Sequence, residues 1–193
     1  MVTRLDLSVP SSDVRIDARL RQRPQINFAR IALQTRPTPV DVGIYTTYSL
    51  PISNFGADDE YILFTHSVPR RWNGASDILY GITTAIADAN SSKKFSIRLD
   101  WEHFSSGSVI PATFNSCSCE ITVGTSAAQY TTYPATFTID YDIDGAGNEI
   151  KAGDILAGRV GRVAASETEA SGEILVFGHY LDYRRDKIGS SWS

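Results

Sequence analysis

The sequence predicts an all-β fold: an antiparallel β-sandwich of the single jelly-roll kind, preceded by an extended N-terminal arm. Three observations carry that prediction. Apolar and polar residues alternate with period two in segment after segment, turn-forming clusters separate those segments, and no segment sustains the 3.6-residue apolar stripe of a helix.

The clearest strand is KKFSIRLDWEHF, where Phe95, Ile97, Leu99, Trp101 and His103 fall on one face and Ser96, Arg98, Asp100 and Glu102 on the other. SCSCEITVG sends Cys117, Cys119, Ile121 and Val123 one way and Ser118, Glu120 and Thr122 the other. GEILVFGHYLDYR alternates through Leu175, Phe177, His179, Leu181 and Tyr183. Further strands are expected over 60–66, 77–86, 134–143 and 154–163. ILYGITTAIADA comes nearest to a helix, but Gly81 and its β-branched neighbours argue against one. Seven strands from residue 57 onward, joined by one from the arm, suit a two-sheet jelly roll.

The resulting division is an arm with edge strands at 1–57, a jelly-roll domain at 58–187 and a short tail at 188–193. Pro10, Pro24, Pro37, Pro39 and Pro51 cut the leading region into short extended pieces, because proline removes a ladder donor. VRIDARLR still alternates well enough for one strand. Residues 1–40 hold seven arginines against three aspartates, whereas the rest of the chain is acidic enough to bring the total to −4. A basic leader on an acidic body suits docking on an acidic partner, a second copy included, with Arg15, Arg19, Arg21, Arg23 and Arg30 as contact residues.

Composition narrows the classes further. The chain has 193 residues, 42% of them hydrophobic, enough for one domain that buries roughly 70% of its unfolded surface without a disulfide or metal. No apolar run reaches the length of about 18 residues that a membrane helix needs, and the first residues lack the apolar stretch of a secretory signal. Cys117 and Cys119 lie on the same face of one strand, badly placed to bridge each other, and read as small buried residues in a reducing compartment. Nucleic-acid binding is not expected, because Asp17 sits among the arginines and the body is acidic.

Candidate chemistry is sparse. The run Asp140, Asp142, Asp144, Gly145 matches the first half of a calcium loop, but the position for a bidentate glutamate is Lys151. The same residues read as the wet face of a strand entering a turn, with Asp142, Asp144 and Asn148 as a weak calcium candidate and no cofactor expected. His66, His103 and His179 are scattered singly, and no nucleophile elbow, zinc helix or phosphate loop occurs, so no catalytic residue is assigned. Trp101 shares the apolar face of its strand, whereas Trp72, in a turn, is a candidate surface contact.

FTHSVPRRWNGASDILYGIT, then AGDILAGRVGRVAAS, then GEILVFGHYLDYRRDKIG together resemble the small single jelly-roll structural proteins of tailed bacteriophages and environmental viruses, which occur as capsid decoration, head-fibre or tail-associated components. The resemblance covers residues 58–187 and rests on pattern. It implies a non-enzymatic virion component, made in the host cytoplasm, whose arm grips neighbouring capsid or tail subunits and which forms homo-oligomers, trimers among them. A carbohydrate- or receptor-binding β-sandwich, using Trp72 and nearby loops, is the alternative.

Overall fold

The computed structural model describes residues 38–52, 60–70, 72, 74, 76–89, 92–143 and 149–184, together with the backbone of residues 19–22. Ten strands occur among them: β1 (Arg19–Gln22), β2 (Pro39–Val42), β3 (Tyr45–Leu50), β4 (Ile62–Ser67), β5 (Ile78–Ile86), β6 (Lys94–Phe104), β7 (Asn115–Thr122), β8 (Thr132–Ile139), β9 (Ile155–Val163) and β10 (Ile174–Arg184). They form a six-stranded sheet in the order β2-β3-β10-β5-β8, with β1 also on β10, and a four-stranded sheet in the order β4-β9-β6-β7. Every ladder is antiparallel. From β3 to β10, the order 3-10-5-8 over 4-9-6-7 is the double Greek key of a jelly roll. No helix among the described residues is long and apolar enough to cross a membrane.

Alternation places the core. Tyr80 and Ile82 from β5, Phe137 and Ile139 from β8, and Val176 and Leu181 from β10 meet Phe64 from β4, Phe95, Ile97, Leu99 and Trp101 from β6, and Leu156 and Val160 from β9. Gly158 makes room for this packing. A Cβ there would lie 2.5 Å from the Asp100 carbonyl oxygen and 2.6 Å from the Phe64 ring, which instead stacks on Tyr80 at 4.5 Å.

The structure departs from the sequence reading in three places. First, the leader enters the body earlier than the boundary at 57/58. β3 pairs with β10 through Leu50↔Ile174, Leu50 is fully buried, and Thr47 donates to the Val176 carbonyl. Pro39 is tolerated because β2 is the outermost strand, and Gly43, at φ +60°, opens the two-residue turn into β3 as a type II′ hairpin requires. Second, β8 stops at Ile139 and not at 143; the chain turns there, and the Ile150 amide donates to the Tyr141 carbonyl. Third, β10 carries a bulge between Val176 and Gly178, so Ile174 and Val176 share the inward face with His179, Leu181 and Tyr183, whereas Leu175 and Phe177 do not. The proposed tail at 188–193 lies outside the described residues.

Candidate functional site

The described residues form a cleft of about 370 Å³ on the outward face of the six-stranded sheet, lined by Ser76, Asp77, Leu79, Thr138, Tyr141, Asp182, Tyr183 and Arg184. Its floor follows from register: Thr138 of β8, Leu79 of β5 and Asp182 of β10 are direct cross-strand neighbours. Residues opposite each other in a ladder point to the same face, so a hydroxyl, an apolar side chain and a carboxylate stand in one row. The rim comes from loops. The Tyr141 amide donates to Asp77 Oδ1 at 3.5 Å, joining the turn after β8 to the approach to β5. Trp72 donates through Nε1 to the Ser76 carbonyl at 3.1 Å, which ties the loop bearing Ser76 and Asp77 into the core.

Chemically the cleft holds two carboxylates, a guanidinium, serine and threonine hydroxyls and the Tyr141 phenol, interleaved with Leu79. Carboxylates accept, guanidinium donates, and hydroxyls do either. Such a lining recognises a ligand that presents alternating donors and acceptors over a partly apolar frame.

The candidate residues from the sequence fall as follows. Arg19 and Arg21 lie in β1, where the register sets Arg21 opposite Asp182 and Arg19 opposite Arg184, so this part of the arm pairs with the body beside the cleft. Arg15, Arg23 and Arg30 lie outside the described residues. Trp72 is not a surface contact: it is 2% exposed and belongs to the core. Of the calcium candidates, Asp144 and Asn148 lie outside the described residues; Asp142 sits in the turn after β8, its amide donating to Asp140 Oδ1 and its own Oδ1 buried without a hydrogen-bond partner. Among the described residues no three His, Cys, Asp or Glu side chains gather as a metal set would. The cleft itself is not legible in the sequence, because its members come from three distant stretches, 76–79, 138–141 and 182–184, that only the strand order brings together. The one signal available was that alternation placed Thr138, Leu79 and Asp182 on the outward faces of their strands.

Two other polar clusters are engaged internally. On the outward face of the four-stranded sheet, Asp100 accepts from Arg98 Nε at 2.7 Å, Arg159 at 2.9 Å and Ser116 Oγ at 2.6 Å. Burial alone would raise the Asp100 carboxyl, but these hydrogen bonds from Ser116, Arg98 and Arg159 outweigh it and hold it low. The Arg159 guanidinium also lies over the rings of Tyr61 and Phe114, at 4.8 and 5.3 Å. Beside it, burial raises the Glu102 carboxyl, whose Oε2 is buried without a partner. At the end of the sandwich Asp154 accepts from Ser105 Oγ at 2.7 Å, from the Lys151 amide at 2.8 Å, and lies 3.3 Å from His103 Nδ1. Both Ser105 and His103 lean on the carboxylate, so His103 does not stand between Ser105 and Asp154 as a nucleophile's base must.

The chain is thus an all-β, two-sheet jelly-roll module with a polar cleft on its six-stranded face. No protein-family model matches it, and no curated protein does. Among solved structures it is similar to a xylan-binding module, CBM15, at 12% identity and a TM-score of 0.48, over 88% of this chain and all of that one. A likeness of that size carries no argument about ligand or role.

Proposed function

We propose that this chain is a non-catalytic β-sandwich binding module whose cleft takes a hydroxyl-rich ligand, a carbohydrate above all. The observation that carries this reading is the row Thr138, Leu79, Asp182 with Ser76, Asp77, Tyr141 and Arg184 around it. Sugar hydroxyls donate to the carboxylates and accept from the guanidinium, while Leu79 and the Tyr141 ring meet the sugar's C–H surface. The test is a glycan array followed by calorimetry on the best hits, each with and without chelator. Binding that Asp182→Asn and Thr138→Val weaken at least tenfold, at unchanged melting temperature, supports the reading. An array with no signal at any calcium level overturns it.

A second reading, a virion structural component fastened to neighbouring subunits, is favoured by one observation: β1 already binds a sheet edge, the C-terminal half of β10. A segment that adds to its own edge can add to the same edge of a neighbour, main-chain hydrogen bonds giving affinity. Deleting residues 1–37 and scoring incorporation into particles tests this; unchanged incorporation rejects the role of the leader.

A further inference from the structure

We propose that the free edge of β7 pairs antiparallel with β7 of a second copy of this chain, centred on Ser118. The argument begins with the edges. Among the described residues β7 pairs only with β6, so its other side presents unpaired main-chain donors and acceptors. The other edges are blunted or short: β2 carries Pro39, β8 carries Pro134, β1 has four residues and β4 is two residues shorter than β7. β7 runs for eight residues, NSCSCEIT, with no proline, lysine or arginine to discourage addition. Its outward positions Ser116, Ser118, Glu120 and Thr122 are exposed, and Cys117 and Cys119, which face inward, remain half-exposed at the rim of the core.

Self-pairing fixes the register. Two copies related by a two-fold axis normal to the sheet keep inward residues opposite inward residues, so the axis passes through a residue and not between two. Centred on Ser118, the pairing sets Ser116 opposite Glu120 of the second copy, Cys117 opposite its Cys119, and Ser118 opposite its Ser118. Ser116, already bonded to Asp100 and Arg98, then faces each Glu120, whose charge Lys94 balances at 3.1 Å, so no like charges meet. Centring on Glu120 would set two carboxylates against each other, which is unfavourable. A second copy thus meets this edge with no like charges opposed and with no proline, lysine or arginine in the way.

Sedimentation equilibrium on the full chain reads the association, and Ser118, being exposed, accepts change without disturbing the fold. Wild type is expected to be a dimer. Ser118→Lys and Ser118→Glu, each setting like charges on the axis, are expected to be monomers at wild-type melting temperature, and their equimolar mixture a heterodimer. A monomeric or trimeric wild type, or a Ser118→Lys variant that dimerises as well as wild type, overturns the proposal. A second readout fixes the register. Burial, with the nearby charges of Asp100 and Cys119, pushes the Cys117 thiol up to about 11, so crosslinking uses a copper–phenanthroline catalyst in reducing-agent-free buffer. Wild type gives a covalent dimer, Cys117→Ser and Cys119→Ser each give none, and mixing the two single variants restores a crosslinked species. A crosslink that survives in Cys117→Ser alone overturns the register.

Discussion

Acid should loosen this sandwich from the inside, through His179. The residue faces inward on β10, is 4% exposed, and shares hydrogen-bond distance with the Tyr80 hydroxyl at 3.0 Å through Nδ1, while its Nε2 is buried without a partner. Phe64 from β4 and Tyr80 from β5 pack against its ring, and His66 from β4 is the titratable neighbour facing it across the core. Burial, and then the His66 charge, lower His179 from 6.5 to about 4; burial lowers His66 in the same direction. The folded protein therefore binds the proton less readily than the unfolded chain does. The stability contributed by neutral His179 is complete above the unfolded value near 6.5, falls as pH drops below it, and is gone below about 4. At about 1.36 kcal/mol per pH unit the whole gap is worth about 3 kcal/mol, of which about 2.5 kcal/mol is expressed by about pH 4.5. Urea denaturation between about pH 7.5 and pH 4.5 measures it, with His179→Gln as the reference that cannot titrate. Wild type is expected to lose that much more stability than His179→Gln over the interval. Parallel pH profiles for the two proteins would refute the reasoning, because they would mean that the buried ring is protonated at no cost or is not buried.

Three further outcomes follow from the packing. Gly158→Ala is expected to cost about 2–4 kcal/mol in chemical denaturation, because its Cβ meets the Asp100 backbone as well as the Phe64 ring; a cost below about 1 kcal/mol would show that the sheets separate freely there. Trp72→Ala is expected to cost about 3–5 kcal/mol, the cost of a large core deletion; a surface residue would cost a small fraction of that. Deleting residues 1–37 is expected to speed amide hydrogen exchange in Leu181–Arg184, which β1 covers, and to leave Ile174–Val176, covered by β3, unchanged; equal protection in both proteins would remove β1 from β10.

The body was legible because alternation is a local property. Phe95 to His103 can be sorted into two faces with no knowledge of what they pack against, and Phe95, Ile97, Leu99 and Trp101 do enter the core, but the polar face is not wet: Ser96, Asp100 and Glu102 are buried too, Asp100 under the arginines that bond it. What alternation cannot see is a change of phase. Phe177 continues the pattern of GEILVFGHYLDYR on paper, yet the bulge beside Gly178 moves Val176 inward in its place, and only the pairing with Thr84 and Thr83 of β5 reveals it. The leader hides its depth for a related reason. Its prolines point to edge strands or a loose arm, and Pro39 does sit in the outermost strand, but β3 behind it is proline-free and pairs with β10 inside the sheet. Trp72 misled because a turn between strands suggested solvent, while the ring folds back under its own loop and bonds the Ser76 carbonyl.

The site was illegible because it belongs to no segment, and the reason lies in how β10 is shared. Its N-terminal half pairs with β3 and its C-terminal half with β1, the change falling across the bulge. Beyond the bulge the outward residues of β10 are Tyr180, Asp182 and Arg184, on a stretch flanked on one side by β5 and on the other by the leader. A charged side chain at that point would be an ordinary solvated strand end if the loop held by Trp72 and the turn at Tyr141 did not close over it. Cleft and leader thus depend on the same stretch, Leu181–Arg184. Any partner that drew β1 away would bare the main chain next to Asp182, so a ligand held in the cleft and the leader would meet on one stretch of β10, and any coupling between them would act equally on both affinities.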